Sequence, residues 1–359
     1  MGKATVLLEE HKRLGAKLTT FGGWEMPLQY AGIIAEHNAV RSSVGVFDVS
    51  HLGKLRLTGP QAVDALDEAM TADVRALEVG AATYSLVLTE SAGCVDDVFV
   101  YRIADADWLV VPNAANVDAV AEQIRVGGGE VVDEWNRYSI FAIQGPDSFP
   151  LIDKLWPEWE ATELKMHRWK AVDVYGEPGL IARTGYTGER GFELYAPVAT
   201  AVEAFNAVLD AGAEPIGLGA RDTLRLEMGY ALYGHEITTE TNPLEAGLGW
   251  VLAWDTPFRG RDALLKVKEH GADRKLFGVR CTDRGVPRQG YPVYNGEVVI
   301  GEVTSGNFSP TLGTGIALAM GPAETKPTPG EEVAIEARGR RMSGDIVKPP
   351  FITKDKKGP

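Results

Sequence analysis

Two adjacent carboxylates, Asp96 and Asp97, lie inside the apolar run Cys94 to Ile103. Aspartate is depleted in strands and a buried, unpaired carboxylate is costly, so a pair in such a run needs a reason. Alternation along a strand puts Asp97 on one face with Val95, Phe99 and Tyr101, and Asp96 on the other with Cys94, Val98 and Val100. A carboxylate among aromatics can orient a nitrogen or move a proton. An ion pair between one Asp and an Arg, with the other Asp facing water, accounts for the same residues equally well. Leu180 to Tyr195 is a second dense stretch, whose glycines predict a tight strand-turn-strand geometry around Tyr186 and Glu193. Those two side chains offer a stacking surface and a planar acceptor, or else a rim aromatic and a solvent-facing acid. Arg221 and Arg225 are four residues apart on a predicted helix, and the interleaved Leu224 and Met228 put at least one of them against a core or cleft. His51 is expected to be a hydrogen-bonded structural histidine, because no Ser or Cys nucleophile motif accompanies it.

The elements that must position these groups can be read from periodicity. Thr83 to Leu88, the turn Thr89-Glu90-Ser91-Ala92-Gly93 and the strand from Cys94 form a predicted hairpin, which Trp108 to Asn116 extends into a three-strand meander. Val44 to Leu57 reads as a strand pair with one polar Asp-Val-Ser-His insertion. Further strands are expected at Glu130 to Trp135 and Ser139 to Ile143. Helical spacing covers residues 5–14, Ile33 to Ser43, Pro60 to Met70, Val117 to Val126, Thr200 to Ala211 and Ala220 to Met228. Strands and helices mix without steady βαβ alternation, which favours an α+β fold on antiparallel sheet over a Rossmann fold. Gly217-Leu218-Gly219 lacks the third glycine of a dinucleotide fingerprint, and no Walker A pattern occurs. The charged stretch Leu265 to Arg274 is the expected linker. Short strands separated by glycine turns then predict a small all-β domain or barrel, before a solvated Lys354-Asp355-Lys356-Lys357 tail.

Fifty acidic against 36 basic residues in a chain of 359 give a net charge of −14, which opposes non-specific nucleic-acid binding. Cys94 and Cys281 are isolated, and the six histidines form no ligand cluster, so no metal and no disulfide framework are expected. The N-terminal residues lack a signal-peptide pattern, and no apolar run approaches the roughly 20 residues of a membrane span. A cytoplasmic protein with no nucleic-acid or membrane partner is the expectation.

A longer set of motifs carries a resemblance. Phe21-Gly22-Gly23-Trp24, Phe47-Asp48-Val49-Ser50-His51, Asp96-Asp97, Ile143-Gln144-Gly145-Pro146, Arg183 to Glu189, Gly217 to Arg225, Leu232-Tyr233-Gly234-His235-Glu236 and Thr304 to Pro310 occur in one order along essentially the whole chain. In these the chain resembles the T-proteins of the glycine cleavage system, tetrahydrofolate-dependent aminomethyltransferases. The resemblance implies a three-lobed α+β fold, with a folate-binding part over residues 1–265 and a C-terminal β-barrel over 275–352. It implies Asp97 as the catalytic residue and Tyr84, Tyr101, Tyr186, Glu193, Arg225, Leu52, Tyr233 and Trp250 as folate contacts. Lipoylated H-protein would be the partner, its aminomethyl group passing to tetrahydrofolate to give 5,10-methylenetetrahydrofolate, ammonia and the dihydrolipoyl arm. Ala92 departs from the glycine frequent in the family's turn before the Asp pair. Related folds leave two alternatives, a demethylase of a small sulfonium or amine and a non-catalytic folate protein of iron-sulfur repair type; the intact Asp97, Glu193 and Arg225 set argues against the second.

Overall fold

The computed structural model describes residues 2–353, so the expected Lys354 to Lys357 tail lies outside it. The chain divides into two compact units. The first holds residues up to Glu90, Val95–Arg221 and Val251–Arg261, and the second holds Ser91–Cys94, Asp222–Trp250 and the residues from Asp262 onward.

Two antiparallel-rich sheets dominate the first unit. A five-stranded sheet runs in the order Ala82–Leu88, Cys94–Ala104, Asp107–Val111, Leu55–Thr58, Val131–Asp133, so the expected meander is present. The helices Ala62–Ala69 and Val117–Val126 bury Ala65, Leu66, Val120 and Ile124 with Leu57, Val98, Val100 and Trp108. Their apolar residues recur at helical spacing, and this stripe fixes which face they bury. The six-stranded sheet runs Trp169–Val174, Glu177–Ala182, Gly191–Pro197, Tyr138–Gln144, Gly45–Asp48, Glu214–Ile216. All its pairings are antiparallel except that of the last two strands. The register sets Glu193 opposite Ala142 and Tyr195 opposite Ile140.

A small third sheet pairs Lys17–Phe21 with Trp24–Gln29, and Lys3–Ala4 with the latter. Gly22 and Gly23 sit at φ +55° and +82° between the two longer strands. Positive φ at both central residues is what a two-residue hairpin turn demands, and glycine meets it without strain.

Two expectations are corrected. Gly45–Asp48 and Leu55–Thr58 do not pair: they belong to different sheets, and residues 49–54 carry the chain from one to the other. Six connecting residues exceed a tight hairpin turn, and the Asp48 carboxylate bends the chain by accepting the Ser50 N–H at 2.8 Å. The expected linker is instead mostly the helix Arg261–His270, which buries Leu264 and presents its charges to solvent. A charge run there was the wet face of a helix.

The second unit contains a closed six-strand barrel, in the order Arg274–Cys281, Thr314–Pro322, Val298–Ser309, Pro292–Asn295, Glu332–Ala337, Arg340–Val347. The last strand, absent from the sequence reading, closes the barrel by pairing with the first. Among the described residues no helix is long and apolar enough to cross a membrane.

Candidate active site

The strand Cys94–Ala104 carries Asp96 at zero exposure and Asp97 partly exposed. Although alternation starts the two side chains on opposite faces, both turn toward one amide. Asn113 donates through Nδ2 to Asp96 Oδ1 and to Asp97 Oδ1, each at 2.9 Å. Asp96 also accepts the Asn113 N–H at 2.8 Å and Asn116 Nδ2 at 2.7 Å. The Tyr84 hydroxyl, from the neighbouring strand, donates to Asp97 Oδ2 at 3.1 Å. Amides and a phenol are the hydrogen-bond partners of the pair, in place of the arginine that one reading of the sequence supplied.

Burial raises the proton affinity of both carboxyls, which titrate as a coupled pair. The adjacent Asp97 charge raises Asp96 further, to about 8, against the pull of the three N–H donors on it. Like charges this close take up a proton more readily than either carboxyl alone, and of the two Asp96 is fully buried while Asp97 is partly exposed.

A second group forms on the strand Gly191–Pro197 and the loop before it. Tyr195 donates to the Tyr101 hydroxyl at 3.0 Å, Tyr101 lies 3.4 Å from Thr184 Oγ1, and Thr184 donates to Glu193 Oε2. Burial raises the Glu193 carboxyl, and the Thr184 bond and the Arg221 charge oppose that rise. Gln144 pins the loop by donating to the carbonyls of Thr184 and Phe192, and it accepts Thr187 Oγ1 at 2.8 Å. Gly185 is obligatory beside it, because a Cβ there would stand 2.1 Å from Gln144 Oε1.

Arg221, on the helix Leu218–Glu227, lies 4.7 Å from the centre of the Tyr186 ring, a cation over a π face. Its charge acts on Asp97, Glu193 and His51 together. Sequence reasoning singled out the Arg221/Arg225 face without assigning Arg221 a role. The helical spacing was the available signal, and it does not distinguish the two arginines. Thr184, Asn113 and Gln144 were missed, because neutral hydrogen-bonding residues carry no spacing signature.

Leu52, partly exposed, lies in the turn between the two sheets, next to His51. His51 departs from the expectation. It is 3% exposed, its Nδ1 has no hydrogen-bond partner, and burial with the Arg221 charge pushes it down to about 3, so it is neutral at physiological pH. Its ring meets Phe21 edge-on at 5.6 Å. It also lines a cleft of about 460 Å³ with Lys3, Trp24, Ala114, Trp135 and Asn136.

The remaining expected residues belong to the second unit. Arg225 is 1% exposed and bonds Asp222, Glu236, Ser305 Oγ and the Tyr230 carbonyl. Tyr233 is partly buried and bridges to Ile237, and Trp250 is 72% exposed in the short helix Gly249–Val251. Among the described residues no group of His, Cys, Asp and Glu could hold a metal ion.

Known proteins match this chain over nearly its full length. Residues 7–256 match the family described as the GCVT N-terminal domain, and residues 274–352 match the glycine cleavage T-protein C-terminal barrel domain. An aminomethyltransferase of Halothermothrix orenii is 44% identical over 98% of this chain and 100% of its own length. An aminomethyltransferase of Mycobacterium tuberculosis is 42% identical over 96% of each chain. The crystal structure of glycine cleavage system aminomethyltransferase T from Bartonella henselae superposes with a TM-score of 0.91, at 32% identity and 98% coverage of each chain.

Proposed function

Because this chain belongs to the glycine cleavage T-protein family of aminomethyltransferases, we propose that it performs that family's transfer on tetrahydrofolate with Asp97 as its catalytic group. It is an aminomethyltransferase of the glycine cleavage system. The reaction takes the one-carbon unit of an aminomethyl group on lipoyl H-protein and joins it to tetrahydrofolate. Ammonia and the dihydrolipoyl arm are released.

The observation that carries the assignment is the environment of Asp97: a partly exposed carboxylate with Tyr84 on one oxygen, Asn113 on the other, and the buried Asp96 carboxyl beside it on the same amide. Tyr84 and Asn113 fix the direction of its free lone pairs. A folate nitrogen that attacks the incoming carbon must be oriented and must shed a proton, and a cationic iminium forms as ammonia leaves. An ionised carboxylate in a partly buried setting serves each demand. Asp96, fully buried and held by Asn113 and Asn116, is turned away from that cation, which leaves Asp97 as the carboxylate that meets it.

The chemistry of the second group suits the pterin. A reduced pterin offers a ring N–H beside an amino group, and Glu193, held through Thr184, can accept both in one plane. Tyr186 offers a ring face with Arg221 across it, and the arginine sets a positive field between the two carboxylates. Tyr84, Tyr101, Leu52, Arg225, Tyr233 and Trp250 join this proposal as folate contacts on the family's pattern. Lipoylated H-protein is the proposed partner, and tetrahydrofolate the proposed acceptor.

Glu193→Gln tests the pterin site. It keeps the shape and places a donor against ring donors, so tetrahydrofolate titrated by fluorescence should bind roughly tenfold or more weakly, the loss of about one charged hydrogen bond. Unchanged affinity would put the pterin elsewhere.

A further inference from the structure

Lys54 has no place in the chemistry above, yet the molecule keeps it at zero exposure. Its ammonium has no carboxylate within 4 Å among the described residues, and its one side-chain hydrogen bond goes to a backbone carbonyl, Ser50 O, at 2.7 Å. Burying a cation without a counter-ion is costly, and replacing such a group by an apolar side chain often stabilises a protein. Burial brings Lys54 down to about 7, the Asp48 and Asp133 charges offsetting it only in part. A group retained at that cost calls for a role outside stability.

The acceptor it reaches is the centre of one turn. Ser50 O also accepts Trp135 Nε1 at 3.1 Å, and the Lys54 ammonium lies 5.7 Å from the Trp135 ring. The rest of the turn is tied down at every step. Ser50 N–H donates to Asp48 Oδ1 at 2.8 Å, Ile140 N–H donates to Ser50 Oγ at 3.0 Å, and Leu52 N–H donates to Val49 O at 3.1 Å. Gly53 N–H donates to Pro112 O at 2.9 Å, beside the Asn113 that holds both aspartates. Among the described residues, Ser50 O is the point at which the turn draws on a buried lysine as donor.

We propose that Lys54, with Trp135, is a positioning residue that fixes the Ser50–Leu52 turn so that Leu52 meets the folate. The proposal rests on the reading of Leu52 as a folate contact. Lys54 itself touches neither substrate. It acts by holding one carbonyl from below, and Trp135 shares the load through a neutral donor.

Lys54→Met is the direct test, read as thermal midpoint, KM for tetrahydrofolate and kcat at saturating folate. The expected result is a thermal midpoint equal to or above that of the wild type, with KM for folate raised roughly five- to twentyfold and kcat within about twofold, the loss of a buried hydrogen bond that orders a binding turn. Trp135→Phe keeps an aromatic ring at the site and removes the Nε1 donor together with the indole's five-membered ring. It should raise the folate KM in the same direction by a smaller factor, and it carries the test if Lys54→Met does not fold. In the double variant the two factors should combine to less than their product, because both donors serve one carbonyl. A folded Lys54→Met with unchanged folate KM, or a drop in midpoint large enough to account for lost activity, overturns the proposal. Leu52→Ala separates the two readings. If it raises folate KM while Lys54→Met does not, only the positioning role fails; if neither Leu52→Ala nor Glu193→Gln changes folate binding, the folate reading and the positioning role fall together.

Discussion

A carboxylate that must attract a developing cation and also hand on a proton works best when its neighbour stays out of the competition. Asp97→Asn should therefore lower turnover by roughly two or more orders of magnitude while folate still binds, and Asp96→Asn should cost far less. The pH dependence follows from the raised carboxyls. Asp97 acts ionised, so kcat falls as pH drops through its elevated value. Asp96→Asn removes the like charge beside Asp97 and should move that acid limb to lower pH without abolishing it. Steady-state rates across pH 5 to 9 check both statements; equal losses from the two substitutions would reverse the roles. The arginines make a second contrast. Arg221→Ala removes the cation over Tyr186 and should weaken folate binding with little change in stability. Arg225→Ala strands the buried Glu236 carboxylate and should cost about 3–5 kcal/mol in urea unfolding. The sequence made the odd placement of Asp96 and Asp97 legible, and the shared arginine face too. The amide of Asn113, the hydroxyl of Thr184 and the orphaned Nδ1 of His51 are products of tertiary packing, which no local spacing records.

At the scale of elements, short-range chemistry was legible and long-range pairing was not. The Gly22-Gly23 turn, the meander and the Val117–Val126 helix follow from local glycine placement and apolar period. The separation of Gly45–Asp48 from Leu55–Thr58 depends on partners far along the chain, Tyr138–Gln144 for one and Asp107–Val111 for the other. The helix Leu8–Arg13 is shorter than expected for a similar reason. Thr5, ahead of it, is drawn to Asp48 with its hydroxyl at 2.7 Å, and His11 Nε2 reaches the same oxygen at 2.9 Å. Burial alone would raise Asp48, but His11, the Ser50 N–H and Thr5 together bring it down to about 2. A folded-state value below the unfolded one stabilises the fold above the unfolded value and loses that stability as pH falls through the folded one. Asp48 should thus contribute roughly 2 kcal/mol at neutral pH. The stability gap between wild type and Asp48→Asn, measured by urea unfolding, should close as pH falls from about 5 to about 2. A gap that stays constant over that range would mean the contacts of Asp48 do not depend on its charge.

For the whole molecule, the barrel was legible as a rhythm of short strands and glycine turns, and its closure by Arg340–Val347 was not, because that strand is recognisable only by the partner it meets. The Arg261–His270 helix likewise looked like a linker until its buried Leu264 was seen. The net charge of −14 bears on the proposed partner: if H-protein is acidic, it docks on such a chain through a local basic face, and rates with H-protein then fall as salt screens that face. On the proposed function, this chain moves a one-carbon unit from a protein-borne arm to tetrahydrofolate through Asp97. The most direct measurement of that transfer is a purified-component assay in which aminomethyl-loaded lipoyl H-protein and tetrahydrofolate are supplied, and methylenetetrahydrofolate, ammonia and dihydrolipoyl H-protein are counted. Equal amounts of the three products are expected, with saturation in H-protein and with all three formed roughly a hundredfold or more slowly by Asp97→Asn. No transfer from loaded H-protein, together with rapid methylation of folate from dimethylsulfoniopropionate or a methylated amine, would contradict it.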